Sequence, residues 1–434
     1  MTDGTMSESD ARSEKGTLRS LLRATEIDTR LLGMAAALIV IWIGIHVLSG
    51  GTFLTPRNLW NLSVQTSAVA IMATGMVLVI VSRNIDLSVG SMMATLGMAM
   101  ALLQAEILPG ILGFGSPYIW VISLAAGMAL GALLGAFQGV IIAYVGVPSF
   151  IVTLGGLLVW RGVAWWMASG RTIAPMDATF QLLGGGSRGN VGGVWSWVVG
   201  AVASVALVAT LINNRRQRNR FGFALRPMWA LISIGVVGVT VILGSVAYLN
   251  RYYLPDVLAR RYADEHGIVF PPEGLDISLG LAIPVLLAIG VALVMIFVGG
   301  RRQFGRYVFA IGGNPEAAEL GGINTRSTTV KTFALMGVLV GVSAAISIGR
   351  LNAAVSGLGQ LTELYVIAAA VIGGTSLAGG IGTIQGAVLG ALVMQSLQSG
   401  MVLLGVDAPV QDIIVGIVLV VAVAIDTYYR RRST

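Results

Sequence analysis

Phe304-Gly305-Arg306-Tyr307-Val308-Phe309-Ala310-Ile311-Gly312-Gly313-Asn314-Pro315-Glu316-Ala317-Ala318-Glu319-Leu320-Gly321-Gly322-Ile323-Asn324-Thr325 separates two apolar runs, 277–299 and 332–349. Asn314 is a good helix N-cap. Pro315 suits the first helical position, and Glu316 meets the positive end of the helix dipole. Glu316 to Leu320 are helix formers, and Gly321-Gly322 supplies the stop. The stretch therefore predicts a short helix, punctuated at both ends, inside a loop. The runs on either side are each about 20 residues long, the length that crosses a hydrocarbon core as a helix. Taken locally, the short helix fits either a docking element for a soluble partner or a surface helix with no partner.

Outward from this loop, apolar runs recur at 31–49, 62–81, 88–105, 119–143, 150–168, 194–212, 228–248, 277–299, 332–349, 363–380, 382–404 and 411–426. They predict an all-α polytopic membrane protein with about 12 transmembrane helices. Composition agrees: the 434 residues are 56% hydrophobic and 11% charged, against roughly 25% charged in a soluble domain. Short segments of alternating hydrophobicity are absent, which excludes a β-barrel. The run 363–380 contains Gly373-Gly374-Thr375-Ser376-Leu377-Ala378-Gly379-Gly380. It predicts either a continuous span or a broken, re-entrant one, which is tolerated only where protein or water surrounds the backbone.

Net charge is +7, and the basic residues cluster between apolar runs. Lys15, Arg19, Arg23 and Arg30 precede the first run, and Arg215, Arg216, Arg218 and Arg220 follow the sixth. Arg301, Arg302, Arg306, Arg326 and Lys331 follow the eighth, and Arg430-Arg431-Arg432 come after the last. With alternating spans all four clusters fall on one side, which the positive-inside rule makes the cytoplasm. Both termini are expected there, as tails 1–29 and 428–434 around a transmembrane domain 30–427. The pattern fits orientation in a membrane better than nucleic acid binding. The N-terminus reads as a tail rather than a signal peptide, since no apolar core and cleavage site follow it closely. Loops 169–193 and 249–276 are expected on the other face, the former flanked by Trp160, Trp165, Trp166, Trp195 and Trp197 as an aromatic belt.

Two polar breaks stand out as counterparts: Arg83-Asn84-Ile85-Asp86-Leu87-Ser88-Val89-Gly90-Ser91 and Gly373-Gly374-Thr375-Ser376-Leu377-Ala378-Gly379. Each is followed later by a turn, Gly146-Val147-Pro148 or Gly405-Val406-Asp407-Ala408-Pro409. Paired interruptions in two halves point to a transport pathway, so Asn84, Asp86, Ser88, Gly374, Thr375 and Ser376 are candidate path residues lining a shared cavity. Chance recurrence of small-residue turns remains the alternative. Asp86 is either functional, as acidic residues inside membranes tend to be, or the cap of the following helix, satisfied by Ser88 or Arg83. Arg161 and Glu363, near span ends, are expected to snorkel. Gln138, Gln385, Gln395 and Gln398 fall within apolar runs, where amides knit helices or line a polar path. Small-residue runs such as Gly127 to Gly131 and Gly386 to Gly390 predict close helix packing. No cysteine occurs and the two histidines, His46 and His266, lie far apart. Metal binding is not expected, nor is a cofactor, and no catalytic constellation is present.

The pattern Gly-x-Asn-x-x-Ala-Ala-x-x-x-Gly-Ile, here Gly312 to Ile323, resembles the ATPase-coupling loop of ABC sugar permeases of the ribose, arabinose, galactose and xylose group. Segments 83–91, Val147-Pro148-Ser149-Phe150-Ile151-Val152-Thr153-Leu154-Gly155 and Gly373 to Leu377 resemble that group too, in the same order. The resemblance extends from about Pro56 to Ala424. It implies a fold of the type II ABC-importer kind, with a ten-helix core. The long insertion, 169–276, resembles the xylose-type permeases and brings an extra pair of spans. The resemblance also implies a coupling loop at 304–326, with Gly313, Asn314, Pro315, Glu316, Ala317, Ala318, Glu319, Gly322 and Ile323 meeting the ATPase. The chain itself would be non-catalytic. A homodimer in the bacterial inner membrane, an ATPase subunit and a periplasmic sugar-binding protein are the implied assembly.

No Gly-x-x-x-x-Gly-Lys-Ser/Thr phosphate loop occurs in the chain, so energy must come from another subunit or from an ion gradient. Two functions remain open from the residues: the permease of an ATP-driven importer, and a secondary transporter in which Asp86 or Glu363 couples to protons or sodium. A membrane-embedded enzyme or scaffold is a weaker third, with no site in its favour.

Overall fold

A helix that enters a membrane must satisfy its own first N–H groups, and this chain does so with side chains and prolines. In α2, Pro56–Val81, Pro56 occupies the first turn and the Thr55 side chain accepts from Asn58 N. The Asn324 side chain caps α12, Thr325–Leu351, and the Thr383 side chain caps α14, Ile384–Leu403. These helices belong to a computed structural model that describes residues 26, 29–271 and 274–431. Of the expected tails 1–29 and 428–434, only residues 26, 29 and 428–431 are among those described. Helix is the main regular element among the described residues, with only isolated bridges besides. Among the described residues ten helices are long and apolar enough to cross a membrane, and Thr362–Ile372 and Ala408–Ala424 are shorter apolar helices.

The chain divides into two compact units. The larger is formed by Met34–Asn190 and the residues from Leu281 onward. Its other helices are α1 (Thr29–Leu48, which enters this unit at Met34), α3 (Val89–Leu112), α4 (Ile119–Val145), α5 (Ser149–Ala168), α9 (Ile283–Arg301), α10 (Gln303–Gly313), α11 (Pro315–Leu320), α13 (Thr362–Ile372) and α15 (Ala408–Arg431). α2 is central, with every residue from Thr66 to Val81 buried, as expected of a helix apolar on all sides. Close approach is the rule around it. A methyl group added at Gly131 or Gly135 on α4 would meet the carbonyl oxygen of Gly337 or Phe333 on α12. One added at Gly386 or Gly390 on α14 would meet that of Gly373 or Ala369. Small residues let such backbones touch where lipid offers no hydrophobic drive to associate.

The second unit is built on Val191–Gly280. α6 (Gly192–Arg220) and α7 (Met228–Leu249) pair antiparallel, Gly200 meeting Val246 and Gly238 meeting Leu207. Both lie within the stretch 169–276 that the resemblance marks as an insertion. The amphipathic α8 (Asp256–His266) follows, and the loop around it is pinned by Leu254 N donating to Ile277 O and Leu279 N to Tyr252 O. Glu26 accepts from Arg218 at 2.7 Å and Arg226 at 3.0 Å. The Arg218 and Arg226 guanidiniums hold its carboxyl down to about 2. Residues 169–190 pack with the larger unit instead: Ile173 bridges to Ala354 and Phe180 is fully buried there.

Sequence and structure differ most instructively at the breaks. The eighth run reads 277–299 by hydropathy, yet α9 begins only at Ile283, because 277–279 is spent on the bridge to 252–254. The tenth run stops being helical at Ile372, and 373–383 is irregular, with Gly374, Gly379 and Gly380 at positive φ. This is the broken form of the two that the sequence allowed. At 11 residues, α13 is about 16 Å long, roughly half a hydrocarbon core.

The pairing of the halves is also corrected. α4 packs along α12 as α14 packs along α2; α3 contacts α12 as α13 contacts α2; α5 lies on α3 as α15 lies on α13. Exchanging α2–α5 for α12–α15 therefore returns the same neighbours. The counterpart of 82–88 is thus 352–361, not 373–383, which corresponds to the turn 113–118. The turns at 146–148 and 405–409 do correspond. α2 ends, and α12 begins, at the end of the unit that carries α10 and α11, so the repeats are inverted. Pairing by sequence misses this because two polar breaks look alike without knowledge of depth.

Candidate functional site

Residues 82–88 leave the α11 end of the unit and rise along the start of α5. Ile85 N donates to Ser149 Oγ at 3.3 Å and Thr153 Oγ1 to Ile85 O at 3.2 Å. From the far end, 352–361 descends, held by Arg161 Nη1 donating to Ser356 O at 2.9 Å and Leu358 O at 2.7 Å. The two strands of irregular chain meet where α3 and α13 start: Gly90 and Gly359 are in backbone contact, and a methyl at Gly90 would strike the Glu363 carboxylate. Arg161 and Glu363, expected to snorkel outward, instead turn inward onto this junction. Glu363 is buried, with Oε2 lacking a partner.

Above the junction lies a cavity of about 540 Å³, reached from the far end. Asn58, Asn61 and Gln65 on α2, Gln395, Gln398 and Ser399 on α14, Ser347 and Arg350 on α12, and Gln360, Thr362 and Tyr365 around the start of α13 supply its polar lining. Val69, Met72 and Met93 close its deep end. Gln395 Nε2 donates to Gln398 Oε1 at 2.7 Å and Gln65 Oε1 at 3.3 Å, and Ser399 Oγ to Asn58 Oδ1 at 3.5 Å. Amides both donate and accept, so this wall can trade its own hydrogen bonds for those of a polyhydroxylated guest. Among the described residues lining it there is no carboxylate. Two of these amides, Gln395 and Gln398, were legible as candidates. Asn58, Asn61 and Gln65 were missed, although their spacing places them on one helix face.

The expected path residues lie outside this lining. Asp86 Oδ1 accepts from Ser88 N at 2.9 Å and from Ser88 Oγ at 2.6 Å, and Gln138 Nε2 donates to Ser88 Oγ at 3.0 Å. Asn84 turns back to Ser82 O at 3.0 Å. Thr375 and Ser376 are buried, and their hydroxyls have no partner. The two segments do come together, at the α11 end: Gly380 N donates to Val81 O at 3.0 Å, and Gly382 packs on Val81 and Thr375.

The loop 302–324 forms two helices. α10 buries Val308, Ile311 and Gly312. α11 is punctuated as expected: Asn314 Oδ1 accepts from Ala317 N at 3.0 Å, Pro315 opens it, and Gly322, at φ +82, closes it with Ile323 N donating to Ala318 O at 3.0 Å. Ala317 and Ala318 face different ways. Ala318 turns inward and is buried, while Glu316, Ala317, Glu319 and Leu320 are exposed, Leu320 at 90%.

A family model described as branched-chain amino acid transport system / permease component matches residues 58–181 and 178–423. The xylose transport system permease protein XylH of Escherichia coli (strain K12) is 36% identical over 407 residues, 94% of each chain. XylH of Haemophilus influenzae is 35% identical over 412 residues, 95% of this chain and 100% of that one. The ribose import permease protein RbsC of Escherichia coli (strain K12) is 30% identical over 390 residues, 90% of this chain and 91% of that one. No solved structure matches the chain.

Proposed function

This chain belongs to the branched-chain amino acid transport system / permease component family, and from that premise we propose that it is the permease subunit of an ATP-driven importer for a pentose of the xylose type. The amide-lined cavity carries the choice of substrate class. A branched-chain amino acid would need a carboxylate for its ammonium and an apolar slot for its side chain. A neutral sugar needs alternating donors and acceptors, which Asn61, Gln65, Gln360, Gln395 and Gln398 offer. The similarity to xylose and ribose permeases points the same way.

In this reading the chain sits in a bacterial inner membrane as a homodimer, with the Arg-rich loops and both termini in the cytoplasm. The cavity then opens to the periplasm, where a sugar-binding protein delivers substrate. Residues 313–323, with α11 at their centre, face the ATPase. Asn84, Asp86, Ser88, Gly374, Thr375 and Ser376 belong to the closed inner gate. Thr375 and Ser376 support this: a buried hydroxyl without a partner is costly, and opening of the gate would give theirs water or sugar to bind.

The test replaces amides with apolar leucines. Asn61→Leu and Gln395→Leu are expected to raise the sugar concentration needed for half-maximal uptake by about tenfold each, for the loss of one or two hydrogen bonds. Wild-type uptake in both variants would move the path elsewhere.

A further inference from the structure

We infer that Arg83 is the strut that carries movement of α11 into the membrane breaks, a positioning role that rests on α11 being the ATPase-docking helix. α2 ends in a motif whose third-from-last carbonyl is bonded by the residue after the turn. Arg83 N donates to Ile80 O at 2.9 Å and Asn84 N to Val79 O at 3.1 Å, with Arg83 itself left-handed at φ +63. That position favours glycine, because a side chain there crowds the backbone. The arginine is instead engaged. Its Nε donates to Gly312 O at 2.8 Å and its Nη2 to Gly313 O at 2.7 Å, the two carbonyls immediately before the Asn314 cap.

The surroundings leave no slack. A methyl at Gly312 would meet Val81 O and Gly380 N, and one at Gly379 would meet the Arg83 side chain. The start of the docking helix, the break 82–88 and the break 373–383 are therefore interlocked backbone to backbone, with one planar guanidinium forked across the junction. A rigid fork transmits displacement where a single flexible contact would not. A local preference broken at a glycine site is the mark of such a function.

Arg83→Gly tests this, because it removes the fork while relaxing the backbone. In the complex reconstituted with its ATPase, the variant is expected to bind the ATPase normally and to stay folded at the assay temperature, the relaxed backbone offsetting part of the lost hydrogen bonding. Sugar taken up per ATP hydrolysed should fall about tenfold, for the loss of two charge-assisted hydrogen bonds. A wild-type ratio would overturn the proposal. So would unfolding of the variant at the assay temperature, which would make Arg83 merely structural, or loss of ATPase binding, which would place it in the docking contact. Ala317→Arg, measured in parallel, separates the premise. If it too is fully coupled, α11 is not the docking element; if it alone is defective, only the strut fails.

Discussion

Asp86 shows how a single carboxylate can be structural inside a membrane. Ser88 N and Oγ both donate to Asp86 Oδ1, and Gln138 holds the serine in turn. The carboxylate is thus held by Ser88 at the entry to α3. Asp86→Asn keeps an acceptor oxygen and is expected to leave ATP-driven uptake intact. Asp86→Ala is expected to destabilise the protein by about 1–3 kcal/mol, the cost of leaving buried donors unpaired, seen as earlier thermal unfolding in detergent. Loss of uptake in the folded Asn variant would instead favour ion coupling through this residue. The Asp-x-Ser pairing was legible because its partners are two residues apart. The Arg161 bonds to Ser356 and Leu358 were not, because 195 and 197 residues separate those partners. Nothing in local sequence reports a contact of that range.

Helix α11 was the most legible element, since Asn314, Pro315 and Gly322 each obey a local backbone rule. Which face it presents was not legible in six residues, because burial of Ala318 depends on the fold around it. The exposed face therefore centres on Ala317 and Leu320, with Glu316 and Glu319 beside them. Ala317→Arg and Leu320→Asp are each expected to weaken ATPase capture in a pull-down by about tenfold or more, since either buries an unpaired charge in the contact. Both chains should still insert and assemble; undiminished capture by both would leave α11 a surface helix. The broken helix α13 was half legible. Its glycines announced an interruption, but only the structure shows that Gly373, Thr375 and Ser376 are buried while Ala378, Ile381 and Thr383 are exposed. The inverted pairing of the two halves emerged only from packing, through α4 on α12 and α14 on α2.

Across the molecule, hydropathy delivered the order of the apolar helices, because each must satisfy its backbone internally, but its about 12 runs correspond to ten long helices and two shorter ones among the described residues. It could not deliver the cavity, which arises where two interrupted helices start at the same depth from opposite ends. Sidedness follows from arginine distribution and has its own test. The chain has no native cysteine, so Glu316→Cys in intact cells should resist a membrane-impermeant thiol reagent that labels Asp256→Cys. The reverse pattern would invert the topology. On the proposed reading this chain is a passive path driven by a separate ATPase. The most direct measurement is labelled-xylose uptake into proteoliposomes holding the chain alone, or the chain with its ATPase and a sugar-binding protein. Uptake is expected only in the full assembly, only with ATP inside a vesicle oriented to use it, and unchanged when proton and sodium gradients are collapsed. Uptake by the chain alone, driven by either gradient and indifferent to ATP, would contradict the account.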